Sequence, residues 1–99
     1  MAAVLVSINY KVKKGSRDEY MSLARQFVAK VNAAQPNVTT SLFSDEDDDH
    51  TFTEIYECPD AASYDALEDS YDEDIRGTIS KIAGCVDGRQ HVAVLTKRA

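Results

Sequence analysis

Three polar residues, Asn9, Glu54 and Tyr56, interrupt apolar segments of the sequence and carry side chains that could do chemistry together. Glu54 and Tyr56 lie two positions apart in an alternating segment, so we expect both on one face of a strand. An amide and a phenol that point into a largely apolar cavity could orient a small aromatic ligand, and a carboxylate could act as a general base. The alternative is structural: Tyr56 and Tyr64 pack in the core with their hydroxyls at the surface, and Asn9 bonds the backbone.

The other residues that often carry chemistry form no recognisable motif. The acidic run 45–49 lacks the glycine and the distal glutamate of a calcium loop, so we expect a solvated turn. His50 and His91 have no partners at metal-ligand spacing, and no metal site is predicted. Cys58 and Cys85 do not form a CxxC pair, so buried free thiols are expected. Without a GxGxxG, P-loop or GxSxG motif, nucleotide binding and serine hydrolysis have no support.

Length, charge and cysteine content limit the classes of protein to consider. The 99 residues suffice for one domain, and the net charge of −6 argues against nucleic acid and anionic membranes as partners. No apolar run approaches the roughly 20 residues of a transmembrane helix, and two cysteines are too few for a disulfide framework, so a cytoplasmic location is expected. The charge is uneven, because residues 45–74 contain fourteen Asp and Glu and no Lys or Arg. This polarity could help orient subunits or steer small charged ligands.

Apolar periodicity predicts an alternation of strands and helices. The predicted elements are a strand over 4–12, a helix from Ser16 to the segment 32–37, strands over 38–43 and 51–58, helical structure over 60–83 and a strand over 91–96. Ser16 with Glu19 matches a capping box, and Asp60 is expected to cap the second helix. Asp72 could restart a helix, so 60–83 forms either one bent helix or two. Asp87–Gly88 predicts a turn before the last strand.

The order β-α-β-β-α-β predicts an α+β, ferredoxin-like domain over residues 1–99, with a four-stranded antiparallel sheet and the helices on one face. Both faces of this sheet carry apolar residues. In the last strand, Val92 and Val94 lie on one face and Ala93 and Leu95 on the other. Because a bare sheet would leave an apolar patch in water, we expect a homodimer in which the sheets of two copies pack face to face.

Two segments carry a resemblance to a known family. VLVSINYKVKKGSRDEY places an apolar strand before a basic stretch, a glycine and a helix, and Glu54-Ile55-Tyr56-Glu57-Cys58 ends a strand shortly before another helix. In these strings the chain resembles the dimeric α+β barrel proteins and, within them, the antibiotic-biosynthesis-monooxygenase-like family. The resemblance implies the ferredoxin-like fold and a homodimer. It places Asn9 near a first-strand polar residue that faces the family's pocket, and Tyr56 where the family commonly has Trp.

The resemblance also implies an activity. Some members of the family are cofactor-free oxygenases that act on phenolic or quinol substrates, whereas others degrade haem. This chain has no Trp, and its segment 60–83 lacks the His with which haem-degrading members bind iron, so haem degradation is not expected. The resemblance therefore implies a monooxygenase without cofactors, in which Asn9, Glu54 or Tyr56 helps to deprotonate a phenol before it reacts with dioxygen. The alternative is a non-catalytic module of the same fold that binds a small ligand or a partner.

Overall fold

The computed structural model describes residues 2–99 and contains a four-stranded antiparallel sheet. Its strands are β1 (Val4–Val12), β2 (Thr39–Ser44), β3 (Thr51–Cys58) and β4 (Val86–Thr96), arranged in the order β2-β3-β1-β4. Helix α1 (Arg17–Ala34) connects β1 to β2, and β3 leads to β4 through helix α2 (Ala61–Asp65), a 3₁₀ turn (Glu68–Ser70) and helix α3 (Glu73–Ala83). The predicted α+β, ferredoxin-like order is confirmed.

Alternate residues of the two central strands face the helices, as their periodicity predicts. Val6 and Tyr10 of β1 are buried on this face together with Phe52 and Tyr56 of β3, and Val6 lies directly opposite Tyr56 in the antiparallel register. Helix α1 completes the core because its apolar residues recur every three or four positions. The buried residues of α1 are Tyr20, Ala24, Phe27 and Val31. Within the described residues, no helix has the length and hydropathy needed to cross a membrane.

The segment predicted as one or two helices contains two helices separated by a 3₁₀ turn. The Asp60 carboxylate caps α2 by accepting from the Ser63 amide at 2.7 Å, and Asp72 caps α3 by accepting from the Ile75 amide at 2.8 Å. The predicted cap at Asp60 and the predicted helix start at Asp72 are confirmed. The prediction of a capping box at the start of α1 is wrong, because the Ser16 side chain makes no capping hydrogen bond. Local spacing therefore placed all three helix starts correctly, and only the capping hydrogen bond of the Ser16 side chain is absent.

Strand β4 begins at Val86 and is longer than its apolar pattern predicts. Asp87–Gly88 lies inside the strand rather than in a turn before it, so that prediction is wrong. Between the pairs Lys11–Asp87 and Asn9–His91, three residues of β4 stand opposite the single residue Tyr10. Gly88 has a φ of 81°, which a residue with a side chain adopts only with strain. The register shift is a β-bulge, and because it adds two residues to β4, the inward and outward alternation of the strand is the same on both sides of it.

The edge strand β4 is uncovered on both of its faces. Val92 and Val94 lie opposite Ile8 and Val6 on the helix side, yet each is more than half exposed. Leu95, on the other side of the sheet, is exposed to a similar degree. The isolated protomer therefore leaves a long apolar edge in water.

Candidate functional site

A cavity of about 180 Å³ lies between the sheet and the helices and opens to solvent. Every layer of the fold contributes to it: the sheet supplies one wall, and α1, α2, the 3₁₀ turn and α3 supply the others. Since a cavity of about 150 Å³ can hold benzene, this one has room for a substituted aromatic ring. Its lining residues are Ile8, Phe27, Glu54, Tyr56, Tyr64, Leu67, Glu68, Tyr71, Ile79, Ile82, Ala83, Val86 and Gln90.

The Glu54 carboxylate, in the wall of the cavity, accepts a hydrogen bond from a tyrosine at each oxygen. Tyr10 donates to Oε2 at 2.6 Å, and Tyr56 donates to Oε1. The hydroxyls of Tyr10 and Tyr20 are 2.6 Å apart. Because the single hydroxyl proton of Tyr10 goes to Glu54, Tyr20 must donate to Tyr10. We call these four residues, Tyr10, Tyr20, Glu54 and Tyr56, the tyrosine–glutamate network.

Three separate elements bring the network together. Tyr10 projects from the helix-facing side of β1, and Glu54 and Tyr56 project from the same side of the neighbouring strand β3. Tyr20 lies in the first turns of α1 and packs its ring edge-on against Tyr10, with the ring centroids 5.9 Å apart. The carboxylate is thus held by rigid strands and a buried helix face, which fixes its position without a loop.

The phenols of the network are held in their protonated form. Burial raises the pKa of both Tyr10 and Tyr56 far above that of an ordinary tyrosine, and the neighbouring Glu54 charge raises each further. Burial also raises the pKa of Tyr20. These hydroxyls therefore act as donors rather than as bases. A carboxylate has about four acceptor sites, so Glu54 keeps room for a proton donor supplied by a ligand.

Only two of the three predicted site residues come together. Glu54 and Tyr56 line the cavity, whereas Asn9 lies on the opposite face of the sheet and donates from Nδ2 to Thr53 Oγ1 at 2.9 Å. The expectation that Asn9 points into the same cavity is wrong. The physical reason is the two-residue period of a strand: Asn9 directly precedes the inward-facing Tyr10 and must point the other way.

Sequence reasoning missed several residues of the site because each resembles ordinary core or surface. Tyr10 and Tyr20 fall on apolar stripes, and the pattern alone gives no sign that their hydroxyls meet over Glu54. Tyr71 lines the cavity, and burial raises its pKa. Gln90 reaches the cavity from the segment that follows Gly88 in the β4 bulge, a feature that the apolar pattern does not reveal.

The remaining candidate residues do not line this cavity. Cys58 and Cys85 are buried free thiols. Residues 2–99 contain no group of three or more His, Cys, Asp or Glu side chains placed to hold a metal ion. The acidic run 45–49 forms an exposed loop between β2 and β3, in which Asp48 accepts from the His50 amide at 2.9 Å.

Comparisons with known proteins find similarity in structure alone. No protein-family model and no curated protein sequence matches the chain. A solved structure described as an antibiotic biosynthesis monooxygenase is 23% identical, with a TM-score of 0.82 over 97% of this chain and 99% of that one. SnoaB from Streptomyces nogalater, described as a cofactor-independent oxygenase, is 16% identical, with a TM-score of 0.78 over 100% of this chain and 96% of that one. A conserved protein from Methanosarcina mazei Go1 is also 16% identical, with a TM-score of 0.84 over 99% and 95% of the two chains.

Identities this low establish the fold and leave the activity open. The resemblance inferred from two short strings is nevertheless confirmed at the level of architecture, since these alignments cover nearly the whole of each chain. The protein has the α+β, ferredoxin-like fold of the antibiotic-biosynthesis-monooxygenase-like proteins.

Proposed function

We propose that the protein is a cofactor-independent monooxygenase that oxidises a small phenolic or quinol-type molecule in the cavity beside Glu54. The observation that carries the proposal is the Glu54 carboxylate, which is fixed by two phenol donors in the wall of an otherwise largely apolar, ring-sized cavity. Such a cavity, with few and fixed polar groups, suits a small aromatic ligand. The fold shared with an oxygenase that works without cofactors supports the reaction class.

In the proposed reaction, Glu54 accepts the proton of a phenol such as the enol form of an anthrone. The resulting anion transfers electrons to dioxygen, and a C–O bond forms at the carbon para to the phenolate. The peroxide so formed takes back the proton held by Glu54. Its O–O bond then breaks as water leaves with the remaining hydrogen of that carbon, so a CH₂ group and O₂ give a carbonyl and H₂O. Tyr56 holds the Glu54 carboxylate in position by hydrogen bonding, because its own proton is firmly held.

Oxygen consumption with anthrones and dihydroxynaphthalenes tests this proposal. Because a positioned general base contributes roughly 10²–10⁴-fold, Glu54→Gln should lower the rate by at least about 100-fold. Tyr56→Phe should lower it less, by about tenfold, because it removes one donor and keeps the base. Glu57→Gln is the matched control: Glu57 lies on the same strand but is exposed and does not line the cavity.

The same measurements can reject the proposal. Uptake no faster than in buffer with every compound, or an unchanged rate in Glu54→Gln, would contradict it. With ¹⁸O₂, the product should gain one labelled atom and the water the other. Binding of these compounds by the wild-type protein without oxygen uptake would favour the alternative, a non-catalytic ligand-binding module.

We also propose that the protein is a homodimer in which the sheets of two copies pack face to face. The support is the exposed apolar surface on the face opposite the helices, which includes Phe43 of β2 and Leu95 of β4. Light scattering should give about twice the 10.9 kDa of the chain. Leu95→Asp should shift the mass toward the monomer, whereas Ser22→Asp on the exposed side of α1 should not. A wild-type mass of one chain at micromolar concentration would refute the dimer.

A further inference from the structure

We infer that the cavity selects its ligand by charge: it accepts uncharged or cationic aromatic molecules and excludes those that carry a carboxylate, sulfate or phosphate. This inference rests on the proposed function, because it concerns the ligand of the same cavity. It narrows the substrate class from phenols and quinols in general to those without an anionic substituent.

The charged side chains that line the cavity are all acidic. Glu54 lies in its wall and Glu68 at its edge, and the lining contains no Lys, Arg or His. The guanidinium of Arg76 donates to the main-chain carbonyls of Glu68 and Tyr71, at 3.1 and 3.0 Å, and not to either carboxylate. Throughout residues 2–99, no salt bridge engages Glu54 or Glu68. The two negative charges are therefore not neutralised by ion pairing.

The orientation of α3 adds to this negative potential. The helix ends at Ala83, and Ile82 and Ala83 line the cavity. The carboxyl end of a helix carries a partial negative charge because its last carbonyls lack intrahelical partners. The cavity thus borders the last turn of α3, the end of the helix that carries the partial negative charge.

The aromatic rings of the cavity favour a cationic ligand. Tyr56, Tyr64 and Tyr71 line it together with Phe27. Aromatic rings attract cations through their quadrupole, so a ligand ammonium group gains from these rings as well as from the carboxylates. The Tyr56 hydroxyl is already committed to Glu54, which leaves one donor fewer for an incoming carboxylate.

Charge selection is compatible with the proposed chemistry. A neutral phenol that transfers its proton to Glu54 leaves the total charge of the cavity unchanged, because one carboxylate is neutralised as one phenolate forms. A substrate with a separate carboxylate would instead add a further negative charge beside Glu54 and Glu68. In surroundings of reduced dielectric constant, that repulsion is much stronger than in water.

Three naphthalene derivatives of similar size test the inference by binding alone: 2-naphthylmethanol, 2-naphthoate and 2-naphthylmethylammonium. An apolar cavity without charge would disfavour both ions, because each loses its hydration on binding. The desolvation cost is common to both ions, so the ratio of cation to anion affinity reports the charge of the cavity. We expect the cation to bind at least about tenfold more tightly than the anion at low salt, a difference of about 1.4 kcal/mol. Naphthalene fluorescence can report the titrations because the protein has no Trp.

Glu68→Gln should reduce the cation-to-anion ratio by at least about threefold, because it removes one of the two charges. Asp69→Asn is the control, since this acid is adjacent in the 3₁₀ turn but does not line the cavity. A ratio near one while the neutral alcohol binds would overturn charge selection and leave the aromatic-ligand proposal intact. Failure of all three compounds to bind would overturn both. Because binding is the readout, loss of oxygenase activity alone would count only against the proposed reaction.

Discussion

Replacing Tyr10 with Phe tests whether the tyrosine–glutamate network is one connected unit. The substitution keeps the buried ring and its edge-on contact with Tyr20, but it removes the hydroxyl that donates to Glu54 Oε2 and accepts from Tyr20. Tyr10 and Tyr20 are almost fully buried, so water cannot replace the lost partners. A hydrogen bond to a charged group contributes about 1.5–3 kcal/mol, and a buried hydroxyl without a partner adds a further cost. We expect Tyr10→Phe to lower the free energy of unfolding by about 2–4 kcal/mol.

A double-mutant cycle with Tyr20 separates the two effects. Tyr20→Phe leaves the bond between Tyr10 and Glu54 intact and removes one bond between neutral groups, so it should cost about 1 kcal/mol. Once Tyr10 is Phe, the hydroxyl of Tyr20 has already lost its acceptor, and removing it relieves the cost of burying it. The double variant should therefore be more stable than the sum of the single effects implies, by about 1–2 kcal/mol.

Urea unfolding of the four proteins at pH 7, followed by circular dichroism, measures these differences. The slopes of the transitions should agree, since the same surface is exposed on unfolding. The half-buried Tyr64 supplies a control, because Tyr64→Phe should change stability by less than about 0.5 kcal/mol. Single effects that add to within about 0.3 kcal/mol would refute the connected network.

Three further predictions concern pH dependence, helix capping and backbone geometry. The pKa values of Tyr10, Tyr20 and Tyr56 are higher in the folded than in the unfolded protein. The contribution of these three residues to stability is therefore complete below the unfolded pKa of about 10 and is lost as the pH rises above it. Where all three are ionised only in the unfolded chain, the free energy of unfolding should fall by about 4 kcal/mol per pH unit. The absorbance of tyrosinate should then appear together with the loss of circular dichroism, and ionisation of these residues in the folded protein would contradict this. Asp72→Ala should cost about 1 kcal/mol in urea unfolding by removing the cap of α3, and Asp72→Asn should restore most of it. Gly88→Ala should also lower the free energy of unfolding by about 1 kcal/mol. The cost comes from backbone strain alone, because a Cβ at this position contacts no other atom. An unchanged midpoint of urea unfolding would show that the bulge tolerates a side chain.

The order and type of the elements were accessible from the sequence because they depend on local chemistry. The alternation in VLVSINYKV and TFTEIYEC follows directly from the two-residue period of a strand, and the structure confirms both strands. Asp60 and Asp72 cap helices because a carboxylate can reach an amide three residues later without help from the rest of the fold. Glu54 and Tyr56 were placed on one face by the same local periodicity.

The site itself was decided by the tertiary structure. Periodicity separated Asn9 from Tyr10, but only the packing of the helices showed that the face carrying Tyr10 is the one that borders the cavity. The meeting of Tyr10, Tyr20 and Glu54 joins positions up to 44 residues apart, and no local pattern encodes it. The bulge in β4 depends likewise on the register with β1. The sequence by itself determined the two central strands, the helix starts and the inward face of β3, because those depend on neighbouring residues. The carboxylate held by two phenols arose only when long-range packing buried their polar groups together.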